Sequence, residues 1–193
     1  MNRYTILFAV VLLFGAFAVY SYGEEEARIF FVGDMSFDRH LRSVAEKKGE
    51  DFLFSCVGDF LKEADLVVGN LEGPITNKES ISKGSVVGSP QNFTFTFPTT
   101  TAKLLDKYNI RLVNLGNNHS DDFGIEGLLS TQKYLDGAGV KYFGGVFEIE
   151  PVVYKKIAGV DFVFISYNQF GGESPNKIAD KIKKEKSDKN KVV

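Results

Sequence analysis

The sequence predicts a mixed α/β domain that follows an N-terminal export segment. Two observations indicate this fold. Short runs rich in β-branched and aromatic residues alternate with longer runs that carry leucines and alanines at helical spacing, and three of the short runs end in turns made of glycine and polar residues. A chain of 193 residues that is 44% apolar can bury one sizeable core. We therefore expect one folded domain over residues 23–193.

The first 22 residues differ in character from the rest of the chain. Arg3 precedes an apolar run over residues 6–20, and a cluster of glutamates follows at residues 24–26. A positive start and an apolar stretch with small residues at 16–18 are typical of an export signal, and the run is also nearly long enough to stay as a membrane anchor. Either alternative predicts an apolar helix that places the domain outside the cytoplasm, secreted or anchored to the cell membrane.

The strands are predicted from short apolar runs bounded by turn residues. In chain order they lie at residues 28–32, 66–68, 110–115, 140–143, 152–157 and 160–165. The first run reads as a buried strand. The last two flank Ala158-Gly159 and predict a hairpin, so we expect a mixed sheet rather than a purely parallel one.

The helices are predicted from leucines, phenylalanines and alanines at helical spacing. They lie at residues 40–63, with a break near Gly49, and at residues 99–108 and 125–135. Between the second strand and the next helix, residues 76–98 are rich in serine, threonine, asparagine and glycine and predict a long excursion over the site. Phe93, Phe95 and Phe97 alternate within it as in a short edge strand.

Composition excludes several kinds of site. The formal net charge of -2 gives no basic surface that would gather nucleic acid, so we expect no nucleic-acid partner. Cys56 is the only cysteine, which rules out an intramolecular disulfide and a cysteine zinc cluster. It lies in the apolar stretch 52–57, where we expect a buried, inert thiol. Any metal ion must therefore use oxygen and nitrogen ligands.

The turns after the first three predicted strands carry the candidate site. Their polar residues are Asp34, then Asn70 and Glu72, then Asn117, Asn118 and His119. Because ligands bind beyond the carboxyl ends of strands in α/β sheets, we expect these side chains to converge. Carboxylates, carboxamides and imidazole suit Mn²⁺, Mg²⁺ or Zn²⁺, and this chemistry fits phosphoester hydrolysis. Each turn taken singly also fits a turn former or helix N-cap.

Three further residues lie close to these turns in the sequence. Asp122 follows His119 closely and strengthens its assignment to the site. Arg39 lies five residues after Asp34, where it could reach an anionic substrate or pair with a nearby acid. His40 has no such setting, and we expect a structural role for it.

The turns resemble the first three motifs of the CapA family, which is named for bacterial poly-γ-glutamate capsule synthesis and is related to the calcineurin-like metallophosphatases. The matching segments are residues 33–39 (GDMSFDR), 69–74 (GNLEGP) and 117–124 (NNHSDDFG). The resemblance runs from about Ile29 to Gly172. It implies an α/β/β/α sandwich of the metallophosphatase type. The third motif is also similar to the Asn-His signature of 5′-nucleotidases.

The resemblance implies two groups of site residues. The metal ligands and their direct supports would be Asp34, Asn70, Glu72, Asn117 and Asn118. The acid near the leaving group would be His119, supported by Asp122. Arg39 is the third candidate catalytic residue, because of its position after Asp34. The cofactor would be a divalent ion, Mn²⁺, Mg²⁺ or Zn²⁺, or a pair of ions in the full-length protein.

The family's pattern continues with a later strand and a His-Gly-Glu type turn. This chain has no histidine after His119, and a lysine-rich solvated helix from Lys177 leads into Val192-Val193, which reads as the start of that strand. We therefore expect the N-terminal portion of a longer domain with an incomplete metal site.

Three functions are compatible with these expectations. The first is a CapA-like protein of capsule or poly-γ-glutamate biosynthesis that takes an anionic or phosphorylated substrate and works beside synthase subunits. The second is a non-catalytic, membrane-anchored partner of a polymer synthase. The third is a secreted nucleotidase-like phosphomonoesterase.

Overall fold

The computed structural model describes residues 26–144 and 150–193, so the predicted export helix lies outside the described residues. The strands are β1 Ile29–Met35, β2 Leu66–Leu71, β3 Ile110–Asn114, β4 Lys141–Phe143, β5 Val152–Ile157, β6 Val160–Ile165 and β7 Lys191–Val192. The α-helices are α1 Arg39–Lys48, α2 Gly58–Leu61, α3 Thr101–Lys107, α4 Gly124–Ala138 and α5 Pro175–Lys186, with 3-10 turns at Glu50–Phe54 and Pro90–Phe93. None of the helices in these two ranges is both long and apolar enough to span a membrane.

The strands form two sheets. The first has the order β1-β2-β3-β4 and is parallel throughout, with helices in its crossover connections. The second has the order β5-β6-β7, in which β5 and β6 are antiparallel and β6 and β7 are parallel. The expected mixture of strand directions is therefore present, but only in the sheet that contains the hairpin, whereas the first sheet is purely parallel. Ala158 and Gly159 both have positive φ, as a tight hairpin turn requires, and the hairpin they close belongs to a separate sheet.

Two apolar clusters lie on opposite faces of the first sheet. Alternate residues of a strand point to opposite faces, so Val67 joins the cluster under the helices while Leu66 and Val68 join a second cluster. That second cluster includes Ile157 and Phe164 of the hairpin. The second sheet therefore covers the face of the first sheet that the helices leave open, and α5 contacts β6 and β7.

The position of β1 corrects one expectation. We expected a buried first strand, but β1 is the edge of its sheet and Phe31 is 71% exposed. The central strands β2 and β3 are the most buried ones, and Val67 and Leu112 in them have no exposed surface. An apolar run does not by itself distinguish an edge strand from a central one, because the difference depends on which strands pair beside it.

Two further expectations differ from the structure. The alternating phenylalanines form no strand: residues 90–93 make a 3-10 turn, and Phe97 pairs only through an isolated bridge to Ile75. Cys56 is exposed rather than buried, because Phe54 of the same stretch fills the core position and stacks on Tyr108. The predicted C-terminal helix and the following short strand are both present as α5 and β7.

Candidate functional site

The polar turns converge at the carboxyl end of the first sheet. Asp34 of β1 is the register partner of Asn70 of β2, and Asn70 is the partner of Asn114 at the end of β3. A pocket of about 300 Å³ opens beside this row. It is lined by all five residues expected to bind or support a metal ion, namely Asp34, Asn70, Glu72, Asn117 and Asn118.

Asn70 is the centre of the polar network. Its Nδ2 donates to Oδ1 of Asp34 at 2.8 Å and to Oε2 of Glu72. Its Oδ1 accepts from Nδ2 of Asn114 at 3.2 Å and from Nδ2 of Asn117 at 3.0 Å. Since a carboxamide has two donor protons and two acceptor lone pairs, Asn70 uses its full hydrogen-bonding capacity. Its nitrogen, not its oxygen, faces the two carboxylates.

The carboxylates of Asp34 and Glu72 are held close together. Partial burial and, next, the negative charge of Asp34 raise the pKa of Glu72. Two carboxylates that meet one nitrogen, beside the exposed amide of Asn118, form the oxygen-rich donor set that a hard divalent cation prefers. The donor chemistry therefore fits a divalent metal ion. Within residues 26–144 and 150–193, no group of three histidine, cysteine, aspartate or glutamate side chains is placed to hold a metal.

His119 and Asp122 form a pair next to the pocket. Nδ1 of His119 lies 3.0 Å from Oδ2 and 3.2 Å from Oδ1 of Asp122, and both side chains are largely buried. The same carboxylate accepts a hydrogen bond from the Phe95 backbone N–H at 2.6 Å. Burial raises the pKa of Asp122, and the bonds from Phe95 and His119 oppose that rise. Asp122 thus orients the ring through Nδ1, and Nε2 is the ring nitrogen that this carboxylate does not engage.

Arg39 lies at the start of α1 and is held by the excursion. Its Nε donates to the Asn92 carbonyl at 2.6 Å, and its guanidinium carbon lies 4.3 Å from the ring centre of Phe95 and 5.3 Å from that of Phe93. The Phe95 ring is also 4.3 Å from the imidazole of His119, so one ring links the two predicted catalytic groups. Arg39 has a φ of 53°, a conformation uncommon outside glycine.

The segment after β6 forms the far wall of the pocket. This segment was not among the predicted site residues. This wall consists of Tyr167, Asn168, Gln169 and Phe170. Asn168 is buried and stabilises the turn by accepting from the backbone N–H groups of Phe170 and Gly171, while its Nδ2 reaches the Asn117 carbonyl at 3.4 Å. A polar turn directly after an apolar strand was the available signal, as it was for the three recognised turns.

Neither His40 nor Asn114 lines the pocket. His40, for which a structural role was expected, is exposed on α1 and does not line the pocket. Asn114 was expected only as a strand residue, yet it contacts Asn70 at the centre of the network.

The chain is similar to proteins of bacterial capsule synthesis. The family model described as bacterial capsule synthesis protein PGA_cap matches residues 28–192. The chain is 28% identical over 139 residues to the capsule biosynthesis protein CapA of Bacillus anthracis, covering 70% of this chain and 33% of that protein. It is 24% identical over 159 residues to the PGA biosynthesis protein CapA of Bacillus subtilis (strain 168), covering 80% of this chain and 40% of that protein.

The chain thus spans well under half the length of these curated relatives. Among solved structures, a hypothetical protein from Thermus thermophilus matches with 16% identity and a TM-score of 0.44, covering 80% of this chain and 52% of that one.

Proposed function

Because the chain belongs to the bacterial capsule synthesis PGA_cap family, we propose that it is a CapA-like protein of capsule or poly-γ-glutamate biosynthesis with a metal-dependent phosphoesterase-type site. The observation that carries the proposal is the convergence of Asp34, Asn70, Glu72, Asn117 and Asn118 on one pocket at the carboxyl end of a parallel sheet. A helix-covered parallel sheet packed against a second sheet also supports a metallophosphatase-type sandwich.

The proposed ligands are Asp34, Glu72 and Asn118, with Asn70 and Asn117 as supports. The two carboxylates provide the negative charge that a divalent ion requires, and their hydrogen bonds to Asn70 hold them in place. A bound Mn²⁺, Mg²⁺ or Zn²⁺ would supply positive charge that stabilises the charge developing on a phosphate oxygen.

The neighbouring residues have distinct proposed roles. His119, held by Asp122 through Nδ1, donates a proton from Nε2 to the leaving group. Arg39 offers the outer nitrogens of its guanidinium to an anionic or phosphorylated substrate, because its Nε is already bonded to Asn92 and its plane is supported by Phe95. The chain acts outside the cytoplasm in this proposal, held at the membrane by its N-terminal segment beside synthase subunits.

The test uses electron paramagnetic resonance to measure Mn²⁺ binding to the full chain. We expect binding in the wild type and its loss in Asp34→Ala. Asp59→Ala is the matched control, because that carboxylate is fully exposed on α2 and remote from the pocket. Equal binding in the wild type and in Asp34→Ala would contradict the assignment of the ligands. If Mn²⁺ binds as expected, hydrolysis of p-nitrophenyl phosphate that depends on Mn²⁺, Asp34 and His119 would support the proposed enzymatic activity.

A non-catalytic partner of a polymer synthase is the second candidate. The observation that favours it is the Asn70 amide, whose NH₂ group donates one hydrogen bond to each of Asp34 and Glu72 and so holds the two carboxylates together with protein groups alone. The two candidates differ in a cell that depends on this protein for its capsule. Normal polymer production with Asp34→Ala and His119→Ala, at unchanged protein level, would favour the non-catalytic role, whereas loss of polymer would favour the enzyme.

A further inference from the structure

A row of hydrogen-bonded side chains crosses the carboxyl end of the first sheet and continues to the end of β6. It consists of Ser166, Asn114, Asn70 and Asp34, which we call the amide row. Ser166 Oγ donates to Asn114 Oδ1 at 2.8 Å, Asn114 Nδ2 donates to Asn70 Oδ1 at 3.2 Å, and Asn70 Nδ2 donates to Asp34 Oδ1 at 2.8 Å. Every donor therefore points towards Asp34, and hydrogen bonds aligned in this way polarise one another.

The orientation of Asn114 is determined by a backbone N–H group and a hydroxyl. Its Oδ1 accepts from the Gly116 backbone N–H at 3.0 Å as well as from Ser166. A backbone N–H can only donate, so the amide oxygen must face Gly116 and the NH₂ group must face Asn70. The second sheet contributes directly to this arrangement through Ser166, which follows β6.

Asn117 is oriented in the same way on the other side. Its Nδ2 donates to the Leu71 carbonyl at 2.9 Å, and its Oδ1 accepts from the His119 backbone N–H at 2.9 Å. Two NH₂ groups of determined orientation therefore face the oxygen of Asn70. If the Asn70 amide were flipped, its NH₂ group would face these two donors and its oxygen would face the Asp34 carboxylate. The hydrogen bonds of Asn70 to Asn114, Asn117 and Asp34 would then be lost.

From this geometry we propose that Asn114 is a positioning residue that holds the Asn70 amide with its NH₂ group towards Asp34 and Glu72. The carboxylate oxygens that do not bond to Asn70 are then the ones left for a cation. In this arrangement Asn70 orients the ligands and is not itself a ligand. The role of the row in metal binding rests on the proposed function, whereas the orientation of the amide does not.

Gly144 allows the two sheets to approach closely enough for the row to form. It has a φ of 67°, and a Cβ at this position would collide with Ser166 Oγ and with Asn114 Oδ1. A side chain at position 144 would therefore push the end of β6 away from β3.

The experiment measures the orientation and the metal affinity separately. Hydrogen exchange of the Asn70 side-chain NH₂, followed by NMR in the full chain, reports the orientation without any metal. We expect slow exchange in the wild type and at least a tenfold acceleration in Asn114→Ala. Thr131→Val is the control for lost stability, because it removes a buried hydroxyl that bonds Ile75 N and Gly127 O away from the row.

The second measurement is the Mn²⁺ dissociation constant. We expect Asn114→Ala to raise it by roughly 10–100-fold, as for other groups that orient metal ligands. The control Thr131→Val should leave it unchanged. Unchanged Mn²⁺ affinity in a folded Asn114→Ala protein would overturn the positioning role. If the wild type binds no Mn²⁺, the metal site of the proposed function fails, and the exchange rates still test the row.

A wild-type measurement covers the case in which Asn114→Ala does not fold. Exchange of the Asn70 NH₂ as fast as that of the exposed Asn190 would overturn the proposal without any variant. Ser166→Ala is the milder substitution, because Asn114 keeps its bond from Gly116. It is expected to accelerate the exchange of Asn70 in the same direction but by a smaller factor than Asn114→Ala.

Discussion

Replacement of Asp38 by alanine is expected to destabilise the domain strongly, because this buried carboxylate holds the excursion over residues 76–98 to the start of α1. Asp38 is 1% exposed and accepts hydrogen bonds from Thr96 N at 2.9 Å and from Ser80 Oγ at 2.5 Å. Its Oδ1 also lies 3.2 Å from Nε of Arg42. Removal of the carboxylate leaves a largely buried guanidinium and a buried N–H without this partner.

The expected cost follows from this environment. Loss of one member of a buried ion pair typically costs about 3–5 kcal/mol. In a domain of this size, roughly 2–4 °C of melting temperature is lost per kcal/mol. Asp38→Ala should therefore lower the midpoint of thermal unfolding by roughly 6–20 °C, as measured by circular dichroism or calorimetry.

Asp59→Ala is the control for this prediction. Asp59 is a fully exposed carboxylate whose pair with Lys62 is on the surface, and exposed pairs contribute about 0–1 kcal/mol. If Asp38→Ala unfolds at the same temperature as Asp59→Ala, the reasoning is wrong and the excursion is held by other contacts. Asp38→Asn separates charge from hydrogen bonding, because an amide oxygen can still accept from Thr96.

Three further predictions concern other parts of the fold. Leu135→Ala should lower the unfolding free energy by about 2–5 kcal/mol in urea titrations, because Leu135 is fully buried. Gly144→Ala should destabilise the protein through both its positive φ and its collision with Ser166, and a neutral result would contradict the close approach of the sheets. The Lys107 ammonium donates to both oxygens of Asp51, at 2.6 and 2.7 Å, and is the main cause of the lowered pKa of Asp51. Because the folded-state pKa of Asp51 is depressed, the stabilisation by this ion pair is present above the unfolded-state pKa and is lost as the pH falls through the folded-state pKa. Lys107→Met should therefore raise the pKa of Asp51, which an NMR titration measures. The same substitution should reduce the loss of stability at acid pH.

Local pattern was sufficient for most of the secondary structure. The hairpin at residues 152–165 and the helix that follows the third polar turn were predicted because apolar periodicity and turn chemistry are properties of neighbouring residues. The convergence of Asp34, Asn70 and Asn117 was predicted from a single rule, since parallel strands place their carboxyl ends at one edge of a sheet.

The incorrect expectations share a physical cause. The burial of β1, the strand at Phe93 to Phe97 and the burial of Cys56 all depended on which surface covers an apolar stretch. The edge position of β1 leaves Phe31 exposed, and Phe54 takes the core place expected for the thiol. The hairpin was recognised, but its separation into a second sheet depends on long-range pairing with β7.

The family resemblance, the polar turns and the chemical types of the site residues could all be read from the amino-acid sequence, because motifs and spacing are properties of neighbouring residues. Which atoms of those residues meet depends on how the strands pair and the sheets pack. Asn70 turns its nitrogen towards Asp34 because Asn114 and Asn117 occupy its oxygen. That orientation, and the wall formed by the loop after β6, arise from side chains that are far apart in sequence and become neighbours when the strands pair and the two sheets pack together.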